Sequence, residues 1–352
     1  MVLLSSSGPR NVIAIAAGKG GVGKSTVTIN LALALTLQGA KVGILDADVY
    51  GPSVRRMLPE QTQPLQKGPT FIPAMCSGIR VMSLAFFRPE NQAVAIRAPI
   101  ANNLMQQFID QVEWGPLDYL LIDFPPGTGD IQLTLCQKAN LSGAIMVTTP
   151  QEVALMDVRK AIHLFEQVQV PILGVVENMS FYLQPDGAKA YLFGKDGGRM
   201  LAEECGIPLL GQVPVDPAVS ECGDLGSSIF QRPSAAARAF EQLTERLRTL
   251  PKPINGQTAQ IQQKDAHSIL VSWPDGKTFH YQLAALQRQC PCAGCCDEHT
   301  GKRMIDPATV PNEQKAISFR QVGRYAVQIQ FASGCSNGIY TYEWLRTLGE
   351  NS

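Results

Sequence analysis

The stretch AAGKGGVGKSTVTINLALAL, residues 16–35, decides how the first part of this chain folds. Positions 18–26 within it hold four glycines, two lysines and a Ser-Thr pair, and an apolar helix pattern follows at once. The run before it, NVIAIAA at residues 11–17, is apolar on both faces and predicts a buried strand. The stretch is therefore predicted to be a glycine-rich turn between a strand and a helix.

The spacing Gly18-x4-Gly23-Lys24-Ser25 is the P-loop pattern for phosphate binding. Its glycines let successive backbone N–H groups converge on phosphate oxygens, and the helix N-terminus adds a partial positive charge. Lys24 is expected to reach the β- and γ-phosphates of ATP, and Ser25 to bind Mg²⁺. The predicted nucleotide-binding residues of the loop are Gly18, Gly20, Gly21, Val22, Gly23, Lys24, Ser25 and Thr26.

Further buried strands alternate with helical patterns from about residue 10 to about residue 250. These strands are KVGILDAD, YLLIDF, GAIMVTT and ILGVVEN. Strands that are apolar on both faces are typical of a parallel sheet covered by helices. The predicted fold class is therefore α/β, with a doubly wound, mostly parallel sheet.

Three aspartates end two of these strands. Asp46 and Asp48 lie two positions apart, which places them on one face of an extended chain. Asp123 follows four apolar residues, which is the Walker B arrangement and predicts a contact to the magnesium shell. The loop after it, residues 127–129, is glycine-rich and suited to sensing the γ-phosphate. A single aspartate would be typical of a helix cap, but three at strand ends beside a P-loop predict one site.

Lys19 is a second cation within the loop. With it, the loop resembles the deviant P-loop of the dimerising ATPases that include the nitrogenase iron protein, MinD and the Mrp-type iron–sulfur scaffolds. The resemblance implies that Lys19 crosses to the nucleotide of a partner subunit in a homodimer. It also implies that Asp48 positions or deprotonates the attacking water, that Asp46 helps hold Mg²⁺, and that Asn178 and Pro214 contact adenine. The predicted catalytic residues are Lys19, Lys24 and Asp48.

Four motifs, DADVYGPS, DFPPGTGD, TTPQE and VVENMSF, are similar to the Mrp branch. The resemblance implies slow ATP hydrolysis and the carriage of a [4Fe–4S] cluster from cluster donors to apo-iron–sulfur proteins. Mrp proteins follow ENMS with a Cys-Pro-x-Cys pair that holds the cluster, whereas this chain has Gln184 and Gly187 at those places. Neither side chain binds iron as a thiolate does, so cluster binding is not expected there.

The chain lacks the Cys-Pro-x-Cys pair and contains the runs FGKDGG and GDIQLTLCQKA. In these features it resembles the plastid high-chlorophyll-fluorescence type of Mrp protein. That type carries a small extra C-terminal domain. In the ATPase region Cys136 is the one cysteine considered as a cluster ligand. The alternative is that Cys136 is a small buried residue of a helix. The other three cysteines of this region have no ligand spacing and are interpreted as structural: Cys76, Cys205 and Cys222.

A cysteine cluster begins with Cys290, Cys292 and Cys295, and Cys335 follows about forty residues later. The region resembles the small domain that opens gamma-butyrobetaine hydroxylase, in which a similar run and a distant His bind structural zinc. Here Cys335 takes the place of the His. Four thiolates suit a tetrahedral Zn²⁺ and also a [4Fe–4S] cluster, and free thiols are a third possibility.

The chain is predicted to have two domains, an ATPase domain at 1–250 and a small β-rich domain at 261–352. The proline-containing segment 251–260 between them is interpreted as a linker. In the second domain SILVSWPDGKTFHYQL predicts a hairpin, and RYAVQIQFASG alternates like a half-buried antiparallel strand.

Thirty basic residues balance thirty acidic ones, so neither nucleic acid nor a membrane is expected as a partner. No run approaches 18 apolar residues and the opening MVLLSSSGPR lacks a signal-peptide pattern, which favours a cytoplasmic location.

One rival hypothesis is a nucleotide-switched adaptor with a zinc module and no cluster. A membrane-partitioning ATPase like MinD is a second rival, but TYEWLRTLGENS is short and weakly basic for a membrane helix.

Overall fold

The structure is a computed structural model, and it divides the chain into two compact units, Met1–Leu250 and Pro251–Ser352. The described residues are 9–48, 53–87, 98–127, 129–250, 259–273, 276–290, 292, 295–296, 303–304, 306–322, 326–335 and 338–350. Most of the predicted linker, together with Thr128 of the predicted γ-phosphate loop, lies outside these residues.

The first unit alternates strands and helices along most of its length. Its strands are β1 (Asn11–Ala16), β2 (Val42–Asp46), β3 (Leu65–Lys67), β4 (Thr70–Ile72), β5 (Ala74–Cys76), β6 (Ile79–Ser83), β7 (Tyr119–Asp123), β8 (Gly143–Thr148), β9 (Ile172–Glu177), β10 (Tyr182–Leu183), β11 (Lys189–Ala190) and β12 (Leu209–Gln212). Its helices are α1 (Lys24–Leu37), α2 (Val54–Met57), α3 (Ala98–Gln111), α4 (Asp130–Lys138), α5 (Glu152–Gln167), α6 (Gly197–Cys205), α7 (Pro217–Leu225) and α8 (Ala235–Thr249).

Eight strands form one sheet in the order β12-β9-β8-β1-β7-β2-β6-β5. All neighbours are parallel except β5, which pairs antiparallel with β6 at one edge. The strand β1 before the glycine-rich turn is central, between β7 and β8. The predicted doubly wound, mostly parallel α/β fold is confirmed. The sequence interpretation did not include β6, which extends the sheet beyond β2.

Helices cover both faces of the sheet and produce two apolar layers. One layer joins α1 and α8 to the sheet through residues such as Leu31 and Phe240. The other joins α3, α4 and α5 to the opposite face through residues such as Phe108, Leu135 and Phe165. Helix α1 is buried along almost its whole length, and this rigid packing holds its N-terminus at the carboxyl end of β1.

The second unit is built from antiparallel strands and two short helices. Its elements are β13 (Gln260–Gln263), β14 (Ser268–Ser272), β15 (Thr278–Gln282), α9 (Leu283–Arg288), β16 (Ala316–Val322), β17 (Ala326–Phe331), β18 (Gly338–Thr341) and α10 (Tyr342–Glu350). They form two three-stranded antiparallel sheets, β13-β14-β15 and β16-β17-β18. The predicted hairpin is the pair β14–β15, and RYAVQIQFASG contains β17, so the β-rich second part is confirmed.

Two glycines of the turn before α1 offer a matched test of its backbone. Gly23 has φ +82°, and a Cβ there would strike the Asn178 amide, whereas a Cβ at Gly20 would meet nothing within 4 Å. We expect Gly23→Ala to lower the free energy of unfolding by about 1–3 kcal/mol, because alanine disfavours the left-handed conformation and its methyl group clashes. Gly20→Ala is expected to change it by less than about 0.5 kcal/mol. Urea denaturation measures both, and equal losses would contradict this account of the turn.

Candidate functional site

The turn between β1 and α1 follows the carboxyl end of β1 and leads directly into the N-terminus of α1. Gly21 and Gly23 both have φ +82°, and Gly23 is the N-cap of α1. No side chain caps this helix, so the N–H groups of its first turn make no hydrogen bond to an N-cap side chain. An uncapped helix N-terminus behind a glycine turn is the arrangement that binds phosphate.

Lys24 and Ser25, the first two residues of α1, both contact Asp123 at the end of β7. The Lys24 Nζ lies 2.8 Å from Asp123 Oδ1, and the Ser25 hydroxyl donates to Asp123 Oδ2 at 2.6 Å. Lys24 is 7% exposed and Asp123 is 0% exposed, so the charges compensate each other in a buried setting. The sequence placed these three residues at one site, and the structure brings them together.

Asp46 ends β2 in register with Asp123 on the neighbouring strand β7. Burial, followed by the charge of Asp123, raises the pKa of Asp46 to about 7. Its oxygens accept hydrogen bonds from the Ser83 hydroxyl at 2.8 Å and from the Asp48 N–H at 3.1 Å. Two buried carboxylates on adjacent strands, with a nearby serine hydroxyl, form an oxygen donor set of the kind that Mg²⁺ prefers.

Asp48 and Lys19 stand at the border of this buried group. Asp48 is half-buried and lies two residues beyond the end of β2. Lys19 is also half-buried, and among the described residues its ammonium group makes no hydrogen bond or ion pair. Of the three predicted catalytic side chains, Lys19 and Asp48 therefore have access to solvent, whereas Lys24 is buried with Asp123.

Asn178 and Pro214, the two predicted adenine contacts, are both buried. The Asn178 side-chain amide donates to the backbone oxygen of Val22 in the glycine turn at 2.9 Å. Asn178 therefore touches the P-loop directly, while Pro214 follows β12 at the edge of the sheet. The remaining loop residues, Gly18 and Thr26, lie half-buried at the two ends of the turn.

Two contacting residues were missed by the sequence reasoning. The Thr28 hydroxyl donates to Asp123 Oδ1 at 2.8 Å, and Ser83 binds Asp46. Thr28 lies one turn after Lys24 on the same helix face, so helical periodicity could have indicated it. Ser83 could not be found this way, because its contact depends on β6 lying next to β2.

In the second unit four cysteines converge. The sulfur atoms of Cys290, Cys292, Cys295 and Cys335 all lie within 4.8 Å of one another. Cys292 Sγ is 3.1 Å and Cys290 Sγ is 3.6 Å from Cys335 Sγ, and none of the cysteines is in a disulfide. Burial raises the pKa of Cys290 to about 12. The fold therefore brings the four predicted metal ligands together, and Cys335 lies in the segment after β17.

Comparison with known proteins agrees with this geometry. The profile described as NUBPL iron-transfer P-loop NTPase, in the ParA group, matches residues 8–248. The chain belongs to the NUBPL iron-transfer P-loop NTPase family. A second profile, gamma-butyrobetaine hydroxylase-like N-terminal, matches residues 261–346. Both resemblances drawn from the sequence are confirmed.

Curated relatives of this chain carry related names. The chain is 39% identical over 348 residues to the Arabidopsis thaliana "Fe-S cluster assembly factor HCF101, chloroplastic", covering 96% of this chain and 64% of that protein. It is 45% identical over 247 residues to the Synechocystis "Iron-sulfur cluster carrier protein", covering 68% of this chain and 70% of that one. The chain thus spans 64% of the length of the Arabidopsis relative.

Solved structures resemble the first unit of this chain. A nucleotide-binding protein from Archaeoglobus fulgidus in complex with ADP is 40% identical, with a TM-score of 0.56 over 64% of this chain and 90% of that one. The Pyrococcus furiosus cell-division ATPase MinD is 23% identical, with a TM-score of 0.50 over 68% of this chain and 98% of that one, which shows a shared fold. Among the described residues, no helix has the length and apolar composition needed to cross a membrane.

Gln184 and Gly187 lie at the tip of the exposed β10–β11 hairpin. Gly187 N–H donates to Gln184 O at 2.9 Å, and Gly187 has φ +85°.

Cys136 lies on α4 in the apolar layer with Leu135, and burial raises its pKa to about 12. A thiol held protonated in an apolar layer behaves as a core residue, the alternative that the sequence had left open.

Proposed function

We propose that this chain is an ATP-binding and ATP-hydrolysing iron–sulfur cluster carrier and assembly factor. The observation that carries the proposal is the buried group of Lys24, Ser25 and Asp123 at the first strand-to-helix turn. It belongs to a fold whose relatives are named for cluster carriage and assembly. In this proposal residues 1–250 are the ATPase domain, residues 251–260 a linker and residues 261–352 a metal-binding domain.

The nucleotide role is assigned to the uncapped turn and its carboxylates. The N–H groups around Gly21 and Gly23 would hold phosphate oxygens, with Lys24 turning from Asp123 toward the phosphates. Ser25, Asp46 and Asp123 are the residues that would hold Mg²⁺, which neutralises phosphate charge when bound. The buried Asp46–Asp123 pair supports this role, because two adjacent carboxylates whose proximity raises a pKa gain from a cation.

Hydrolysis is assigned to Asp48 and Lys19. Asp48 would orient or deprotonate the attacking water, and Lys19 of one protomer would neutralise charge on the nucleotide of the other protomer in a homodimer. Both side chains are partly exposed, which supports these two roles. A lysine that acts on a partner's nucleotide must extend beyond the core of its own subunit. Asn178 and Pro214 would contact adenine.

The four cysteines of the second unit fit zinc better than a cluster. Four thiolates around one tetrahedral Zn²⁺, at about 2.3 Å each, are separated by about 3.8 Å. The four sulfurs here lie within 4.8 Å of one another, which suits one ion. The ligands of a [4Fe–4S] cluster each bind a different iron and are therefore spread around the whole cluster. We assign a structural Zn²⁺ to this site.

A second candidate function is a nucleotide-switched adaptor that positions a zinc-stabilised module and carries no cluster. Two observations favour it. The hairpin tip offers Gln184 and Gly187 instead of thiolates, and the cysteine group of the second unit has the dimensions of a single-ion site. Both candidates share the ATPase chemistry and differ in whether the chain binds iron and sulfide.

Metal and sulfide analysis of anaerobically purified protein distinguishes the two. The carrier is expected to bind iron and sulfide on anaerobic reconstitution, and to restore the activity of apo-aconitase added afterwards. The matched control is a reconstitution mixture without the protein, which reports cluster assembled from free iron and sulfide. Zinc with no iron after reconstitution would overturn the carrier function and support the adaptor.

A further inference from the structure

A groove of about 370 Å³ lies at the β12 edge of the main sheet. All four residues of β12 line it, and β12 is the outermost strand with β9 as its sheet neighbour. Helix α8 contributes lining residues from Ala235 to Arg246, and the β10–β11 hairpin and α6 contribute others. A bridge between Tyr182 and Val215 holds the hairpin beside the end of β12. We call this feature the β12 groove.

The β12 groove is cationic although the chain as a whole has no net charge. Lys189, Arg199, Arg238 and Arg246 line it, and no acidic residue is among its described lining residues. Arg199 lies 3.6 Å from Asp196, and it is the one lining cation with a carboxylate partner among the described residues. The other three cations, Lys189, Arg238 and Arg246, have no carboxylate partner among the described residues, and such a group attracts an anionic ligand.

The contacts of α8 distinguish carboxylates from phosphates as ligands. Phosphate sites commonly use free N–H groups at a helix N-terminus. At α8 those groups are already bonded, because Asp216 accepts from Ala236 N–H at 3.2 Å and Ser234 accepts from Ala237 N–H at 3.1 Å. Guanidinium groups therefore supply most of the charged donors in the groove, although Arg246 also donates to the backbone oxygens of Leu209 and Leu210. Guanidinium pairs with both carboxylates and phosphates, so the occupied N-terminus of α8 is the feature that favours carboxylates.

The shape and the apolar lining indicate a chain instead of a small ion. The lining residues of α8, from Ala235 to Arg246, cover eleven residue steps of helix, or about 16 Å. Apolar residues such as Phe181 and Leu183 line the groove together with the cations. We propose that the β12 groove docks an extended acidic segment of a partner protein. This interaction goes beyond the proposed ATPase and carrier function and does not depend on it.

The groove adjoins the nucleotide site without coinciding with it. Pro214 lines the groove, whereas Asn178, the other predicted adenine contact, is not among its lining residues. The lining does not include the glycine turn, Lys24 or Asp123. Peptide binding and ATP binding are therefore expected to be separable by mutation.

Fluorescence anisotropy with two labelled octapeptides, one alternating Glu and Ala and the other Lys and Ala, tests the proposal on the full chain. We expect the acidic peptide to bind at least about tenfold more tightly than the basic one. Two variants should each weaken it about tenfold or more: Arg238→Glu removes a groove cation, and Gln242→Glu adds a negative charge to the same helix. Both side chains are exposed, so neither change disturbs the core.

Arg248→Glu is the matched control, since Arg248 lies on the same helix but hydrogen-bonds to Gln38 outside the groove. It should leave the peptide affinity within about twofold of the unchanged protein. Equal binding of both peptides, or an effect of Arg248→Glu as large as that of Arg238→Glu, would overturn the proposal. Displacement of the peptide by Mg-ATP, or by millimolar pyrophosphate alone, would also overturn it. If Arg238→Glu still binds ATP, its loss of peptide binding is due to the change in the groove and not to a damaged nucleotide site.

Discussion

Lys24→Ala is expected to lower the affinity for Mg-ATP by at least about a hundredfold. Each hydrogen bond to a charged group contributes about 1.5–3 kcal/mol, and about 1.4 kcal/mol corresponds to a factor of ten in affinity. The same change removes the cation 2.8 Å from the fully buried Asp123 carboxylate. Breaking a buried pair by deleting one partner costs about 3–5 kcal/mol, so the variant should also be less stable. Calorimetric titration measures the affinity and urea denaturation the stability.

The double variant Lys24→Ala/Asp123→Asn separates these two effects. Neutralising Asp123 removes the uncompensated charge, so the double variant should recover much of the lost stability. It should still fail to bind Mg-ATP, because the phosphate-binding ammonium is absent. If the Lys24→Ala affinity stays within about threefold of the unchanged protein while the fold is intact, the assignment of Lys24 is wrong.

Lys19→Ala is the comparison within the same loop. It should leave Mg-ATP affinity within about threefold and lower the hydrolysis rate by about a thousandfold, the low end of what a cation supplied to a partner's nucleotide provides. The reason is that Lys19 is half-buried at the border of the site, whereas Lys24 lies inside it. Equal loss of binding in Lys19→Ala and Lys24→Ala would contradict the role of Lys19 in a partner subunit.

Cys335→Ser should remove the metal from the second unit and unfold that unit. Structural zinc contributes about 10–16 kcal/mol to the folding of small zinc domains. If the variant loses its zinc, the free energy lost is therefore expected to exceed the free energy of unfolding of this unit. Cys335 is a favourable position for the test, because its side chain is half-buried and a serine there perturbs packing less than one at the fully buried Cys290. Elemental analysis should give about one zinc per unchanged chain and almost none in the variant.

Cys296→Ser is the matched control, because Cys296 adjoins Cys295 in sequence but is not one of the four converging residues. It should keep its zinc. Mg-ATP binding by the first unit should survive in both variants, which distinguishes local unfolding from loss of the whole protein. A Cys335→Ser protein that retains full zinc and a folded second unit would contradict the four-thiolate site.

The sequence predicted the parts of the site that depend on local pattern. Strands apolar on both faces, the glycines of the turn and the helix after it are short-range features, so β1, the turn and α1 could be predicted together. Asp123 was recognisable from the four apolar residues before it. The cysteine spacing of residues 290–295 likewise indicated a metal site from residues close in the chain.

The sequence by itself determined the fold class, the phosphate-binding turn and the types of ligand available, because periodicity and glycine conformation act over a few residues. Tertiary structure alone decided which distant residues meet. The order of strands places β6 beside β2, which brings Ser83 to Asp46, and it leaves β12 at the edge, where the cationic groove forms. The dimensions of the four-sulfur site also required the folded chain, because Cys335 lies forty residues beyond Cys295 in the sequence and only folding brings it to the other sulfurs. Strand order follows from the packing of whole elements against each other, and no short stretch of sequence encodes it.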